Sequence, residues 1–167
     1  MELTTIFDVI KTISVVIGII YGTIQLRQYQ SDRRREAALL VLNSFQTPNF
    51  MRGLMEVVQL PDGLDMKGVR DHLGDNLEVA MSVLLTFERI GVLVFQRELT
   101  LDIVDDALSG PIMISWQKLA GTVEEIRIAQ NRETSFEWYQ WLAERMAEWE
   151  ARTPPVPAYI EHSDWKP

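Results

Sequence analysis

The chain of 167 residues carries a formal charge of −8, 47% apolar residues and no cysteine. That length suits one compact core rather than two, the apolar content excludes wholesale disorder, and the missing cysteine excludes disulfides, thiolate metal sites and a cysteine nucleophile. The charge is uneven, with residues 1–35 summing to +2 and residues 36–167 to −10, so most of the chain repels phosphate backbones and nucleic acid is not an expected partner.

From Ile6 to Leu26 the chain is apolar apart from Asp8, Lys11 and small hydroxyl residues. Twenty-one helical residues at about 1.5 Å each span roughly 31 Å, close to the hydrocarbon thickness of a bilayer. Asp8 and Lys11 share a face near one end, where they can pair. The start at Met1-Glu2 and the passage from Ile24 straight to Gln25, Leu26 and Arg27 lack the basic opening and cleavage site of an export signal, so the segment predicts a retained anchor. Arg27 with Arg33, Arg34 and Arg35 outnumbers the single Lys11 on the other flank. The positive side is expected in the cytoplasm beside the lipid headgroups, with the N-terminus outside. Gly18 and Gly22 form a G-x-x-x-G spacing that would let a second helix approach closely.

Beyond the arginines, Ala37, Leu40, Val41, Ser44 and Phe45 continue a helical spacing, so anchor and first inner helix read as one rod. Thr47-Pro48 marks a fresh helix start, and Phe50, Leu54, Met55, Val58 and Leu60 are its candidate apolar positions before the Pro61-Asp62-Gly63 turn. A short stretch from Met66 to Leu73 leads to Gly74. "NLEVAMSVLLTFERIGVLVFQRE" is the most apolar inner segment; Glu88 and Arg89 at its centre make it a buried bundle helix rather than a second crossing. Thr100 opens a brief helix expected to end at Gly110, and Pro111 opens another in which Ile112, Trp116, Leu119, Val123, Ile126 and Gln130 follow a packed-seam spacing.

Thr134 and Glu137 have capping-box spacing for a last helix. In it Tyr139, Leu142, Met146 and Trp149 form one stripe, and Trp116, Tyr139 and Trp149 are the expected core aromatics. The proline-rich tail "TPPVPAYIEHSDWKP" is expected to be extended, either wrapping back through Tyr159 and Trp165 or serving as a peptide ligand. The fold class expected is all-α: an anchor and basic collar over residues 1–35, a cytoplasmic bundle of four to five helices over 36–152, and the tail over 153–167.

Chemistry is harder to find. Neither phosphate-loop spacing occurs, no serine sits in a nucleophile elbow, and neither His72 nor His162 has the Glu-x-x-His or zinc-hydrolase partner that metal chemistry requires. No cofactor and no small-molecule substrate are expected. Asp102, Asp105 and Asp106 form the best carboxylate cluster, a weak metal candidate because Asp102 and Asp106 lie one helical turn apart. Glu88, flanked by apolar residues, needs a partner if buried, and Arg127 is the candidate for a buried structural pair.

With "FERIGVLV", Trp116, Arg127 and "FEWYQWLAERM" in that order, the chain resembles a family of uncharacterised bacterial single-pass membrane proteins with a cytoplasmic helical domain of unknown function. The likeness covers most of residues 10–150. It implies a bacterial inner-membrane location and a structural plan without a reaction. The resulting expectation is a membrane-anchored interaction module, contacting lipid and a protein partner or a second copy as scaffold, regulator or accessory subunit, without catalytic residues. The alternatives are a tethered enzyme using Glu88 or the aspartate cluster, and a homo-oligomeric channel or effector built on the first helix.

Overall fold

The computed structural model describes residues 13–26, 28–29 and 47–166, and over these it is all-helical. Residues 13–26 form helix α1, and every one of them is exposed. Among the described residues no helix is long and apolar enough to cross a membrane. The expected span begins at Ile6, and Ile6 to the residue before Ile13, like Arg27, Arg33, Arg34, Arg35 and the inner half of the rod, lies outside the described residues.

The bundle contains α2 (Pro48–Val58), α3 (Met66–Leu73), a 3₁₀ turn (Gly74–Asn76), α4 (Leu77–Phe95), α5 (Leu101–Gln130) and α6 (Glu137–Arg152); a single turn, α7 (Ala158–Glu161), follows in the tail. Helix α2 starts as its sequence dictates, with the Thr47 side chain accepting from the Phe50 amide at 3.4 Å and Pro48 in the first turn. It buries Phe50, Gly53 and Val57, while Met55 and Val58 face outward.

Helix α4 is the centre of the bundle, burying Ala80, Val83, Leu84, Phe87, Ile90, Gly91 and Val94 between α2 and α6. Both contacts are backbone-close at a glycine. A Cβ on Gly53 would lie 2.0 Å from the Val79 carbonyl oxygen, and one on Gly91 would lie 2.3 Å from that of Trp138.

Two helices expected on either side of Gly110 are one. Helix α5 runs unbroken through Pro111 because Val104, Leu108, Ile112, Ser115, Leu119, Val123 and Ile126 keep a single buried stripe across it. The proline costs one backbone hydrogen bond, to the carbonyl of Ala107, which is exposed and can be met by water. Burying a continuous stripe outweighs that loss, since each large side chain contributes about 1.5–3 kcal/mol. The helix ends at Asn131, whose left-handed backbone (φ 49°, ψ 46°) closes it.

An aromatic row crosses the core. Phe50 meets Phe87 edge-on at 5.6 Å, Phe87 meets Tyr139 at 5.2 Å, and Tyr139 meets Trp116 at 5.0 Å. Tyr139 and Ser115 are fully buried, and their hydroxyls lie 2.5 Å apart. Ser115 also donates to the Pro111 carbonyl at 2.5 Å, leaving the Tyr139 hydroxyl to donate to Ser115. Burial pushes the Tyr139 phenol well above its ordinary pKa, so it stays a donor. Tyr139→Phe leaves Ser115 bonded to Pro111 and is expected to cost about 1 kcal/mol, whereas Ser115→Ala strands the phenol and is expected to cost about 2 kcal/mol. Urea denaturation of the two variants side by side checks the order.

Of the other expected core aromatics, Trp116 packs partly buried against the core, but Trp149 is 39% exposed and belongs to the surface. The tail does not wrap back. Tyr159 and Trp165 are 80% and 72% exposed, because Thr153 and three prolines carry the chain away from α6.

Candidate functional site: an apolar cleft around Glu88

Where α4, α5 and the turn before α6 meet, a cleft of about 450 Å³ opens. Its apolar walls are Met66, Met81, Leu85, Ile126 and Phe136; Glu88, Gln130, Arg132, Thr134 and Ser135 are its polar members. Glu88 comes from the middle of α4, one turn after Leu84, so the helix that fills the core also delivers a carboxylate to the cleft.

That carboxylate caps α6 from another helix. Helix α6 begins at Glu137, and the Tyr139 amide in its first turn donates to Glu88 Oε2 at 2.8 Å. The capping box expected at Thr134 does not form: the Thr134 hydroxyl accepts from Arg132 Nε at 3.1 Å, and the residue before the helix is Phe136, with left-handed backbone (φ 56°, ψ 33°). A phenylalanine in that region is strained and persists only where its surroundings hold it.

Arg127 supplies the second grip. Its Nε donates to the Ser135 carbonyl at 2.9 Å and its Nη1 to Gln140 Oε1 at 2.7 Å, with Glu124 3.7 Å away. The pair expected between Glu88 and Arg127 is therefore not a contact pair. Both side chains spend their hydrogen bonds on the turn between α5 and α6, which offers fixed backbone partners at each end, and they influence each other only through space.

Burial raises the Glu88 carboxyl above its ordinary value, opposed by the amides of Tyr139 and Trp138; nearby Glu137 raises it further and Arg127 lowers it. The folded chain therefore holds a proton on Glu88 at pH values where the unfolded chain has released it. This residue's contribution to stability is fully present below the unfolded value, near 4.5, and is lost as pH rises through the higher folded value. Glu88→Gln removes the titration, so its stability relative to the parent chain is expected to be better at neutral pH than at pH about 4. Denaturant midpoints at both pH values test the sign; an unchanged difference would refute it.

The remaining sequence candidates lie elsewhere. Gly18 and Gly22 are on α1, exposed, with open space where a side chain would stand. Asp102, Asp105 and Asp106 sit at the start of α5, where Asp102 and Asp106 are exposed and Asp105 turns partly inward. Among the described residues no group of three His, Asp or Glu side chains gathers to hold a metal ion, which corrects the cluster's candidacy: the spacing puts the three aspartates on one side of α5, but Asp102 and Asp106 stand out in solvent while Asp105 turns partly inward.

The sequence points to Glu88 but not to the cleft around it. Met66, Met81 and Leu85 looked like generic helix positions, and nothing in the spacing of Arg132, Thr134 and Ser135 shows that they line a wall. Helix α3 is held beside the cleft by two caps: Asp65 accepts from the Gly68 amide at 2.6 Å, and Glu125 of α5 accepts from the Met66 amide at 2.9 Å.

A family model described as a domain of unknown function, DUF4760, matches residues 12–146. No curated protein and no solved structure matches the chain.

Proposed function

This chain belongs to the DUF4760 family, and from that premise we propose that it is a bacterial inner-membrane contact module, whose helical bundle holds a protein partner in the Glu88 cleft. The observation that carries the reading is how the cleft's polar residues are spent. Glu88 accepts a helix amide, Arg132 donates to Thr134, and Ser135 donates to Gln130 Oε1 at 3.0 Å. What the cleft offers a visitor is its apolar wall, with two flexible methionines able to repack around a partner's side chains.

The anchor belongs to the same proposal. Residues 6–26 span the bilayer, Arg27 and Arg33 to Arg35 keep the bundle in the cytoplasm, and Gly18 and Gly22 mark a helix contact within the membrane. The exposure of every residue of α1, including Ile13, Val16, Ile17, Ile20 and Ile24, supports this, because such a surface needs lipid or another helix to cover it. The role is that of a scaffold, regulator or accessory subunit of a larger membrane assembly.

A photo-cross-linking residue at Leu85, which is 59% exposed, tests the cleft in intact membranes. The expected result is one discrete heavier product from Leu85 and none from Glu144 on the outer face of α6. Equal, diffuse products from both positions would sink the reading. A second reading, a tethered enzyme using Glu88 as acid or base, is favoured by its raised carboxyl beside a cavity. Glu88→Gln separates the two, since the contact reading expects the Leu85 product to survive it.

A further inference from the structure

The cleft holds one carboxyl group among apolar walls, and that group has no cation of its own. Glu88 is half-buried, with Oε2 accepting the Tyr139 amide at 2.8 Å. The charged groups that face it come from α5, α6 and the turn between them. From α6, Glu137 repels its negative charge. From α5, Arg127 attracts it only through space, because Nε and Nη1 are given to Ser135 and Gln140. From the turn, Arg132 lines the same cleft but donates to Thr134. Helix α3 brings only Met66 to the lining, α2 brings nothing, and Arg89, next along α4, is exposed and outside it. Among the described residues no lysine or arginine forms an ion pair with Glu88.

The unburied part of Glu88 faces the open cleft, so solvent entering the cleft is what still hydrates its charge. An apolar group that enters displaces that solvent and returns no hydrogen bond, which disfavours the charged carboxylate and leaves the neutral acid nearly untouched. Burial by the protein already raises the carboxyl, and such a visitor acts in the same direction. The neutral acid keeps a carbonyl oxygen for the Tyr139 amide, so α6 stays capped in either state. A cationic visitor would act oppositely, by favouring the charge. The lining does not select one: ionised Glu88 and Arg132 sum to zero, and with Glu88 neutral the lining is positive.

We propose that the cleft seats an uncharged, apolar group and takes up a proton from solvent on Glu88 as it does so. Occupancy is then strongest in acid and weakens as Glu88 ionises. This rests on the cleft being the contact site, and under the contact reading the seated group is an apolar side chain of the protein partner. The occupied state binds more protons than the empty one, so affinity falls as pH rises between the Glu88 value of the empty cleft and its higher value in the occupied one. Each pH unit between those two values is about a tenfold loss of affinity from the acid to the alkaline limit.

A tethered occupant tests the coupling. The full chain contains no cysteine, so Leu85→Cys in detergent accepts a single acrylodan, an uncharged naphthalene dye whose emission moves to the blue when sheltered from water. The same dye at Glu144→Cys, on the outer face of α6, marks hydrated emission. From pH about 5 to about 9 the sheltered-to-hydrated ratio at Leu85→Cys is expected to fall on the order of tenfold, and to stay constant when Glu88→Gln is added. A ratio that rises with pH, or falls equally with Glu88→Gln, overturns the proposal while leaving the cleft as a seat. Hydrated emission at every pH in both chains overturns the proposal and the contact reading together. Since Glu88→Gln alters the α6 cap, urea midpoints of labelled and unlabelled Leu85→Cys give a measure without it. The stability added by the label is expected to be larger at pH about 5 than at about 8, and the reverse or equality overturns the coupling.

The partner is read in membrane fragments, open to buffer on both faces, with the photo-cross-linker at Leu85. Its product is expected to be several-fold more abundant at pH about 5 than at about 8, and equal at both with Glu88→Gln. A product favoured by the higher pH means that the partner brings a cation to Glu88, which overturns the proposal. A pH-dependent dye without any cross-linked product supports the proton-coupled seat and refutes the protein partner.

Discussion

Replacing Gly91 by alanine is expected to destabilise the fold by about 2 kcal/mol or more, although alanine is the better helix former by about 1 kcal/mol. The new methyl group would meet the Trp138 carbonyl oxygen at 2.3 Å, its carbon at 2.7 Å and the Trp138 Cβ at 3.0 Å. Two of those atoms are backbone, which cannot rotate away, so relief requires moving α6 off α4. That movement also pulls the α6 amides away from Glu88. Gly53→Ala is expected to behave alike at the Val79 carbonyl. Gly110→Ala supplies the contrast: it stands clear of the neighbouring helices, but a Cβ there meets the ring of Pro111, which disfavours helical backbone in the residue before it, so the propensity gain is offset and the change is expected to stay within about 0.5 kcal/mol. Denaturant midpoints for the three variants test the ranking. A neutral Gly91→Ala would mean that α4 and α6 are not in backbone contact.

Arg127→Met is the second large effect, with an expected cost of about 2–3 kcal/mol. The Arg127 side chain is 10% exposed, and its loss leaves the Ser135 carbonyl and the Gln140 side chain without their charge-assisted donors. Arg127→Lys is expected to recover little, because one ammonium cannot serve two acceptors through a planar fork. The turn should loosen before the core does. Hydrogen exchange at residues 131–139 is therefore expected to accelerate in Arg127→Met while the middle of α4 keeps its protection. Uniform acceleration of both would show that Arg127 supports the whole bundle rather than this turn.

The sequence carried the helices well where apolar spacing was long and one-sided. The start at Thr47-Pro48, the loop at Pro61-Asp62-Gly63 and the buried course of α4 were legible from pattern alone. It misled where a local signal competed with packing. Gly110-Pro111 is a strong stop signal, yet the stripe from Val104 to Ile126 continues through it, and tertiary burial decides. The capping-box spacing of Thr134 and Glu137 is real, but a carboxylate 49 residues before Glu137 is better placed to meet the α6 amides. Glu88 and Arg127 were identified as residues needing partners; that their partners are one turn's backbone and side chains, rather than each other, requires three dimensions. The cleft was invisible because its wall joins residues from four separate segments.

Glu125 holds the Met66 amide and Arg127 holds the Ser135 carbonyl, so two of the segments that line the cleft hang from positions two residues apart on α5. The backbone frame of the opening is thereby set by one short stretch of helix before anything enters it, and what is left to adjust is side chains, Met66 and Met81 among them. A visitor loses little affinity to ordering that frame, so selectivity falls to the visitor's own shape.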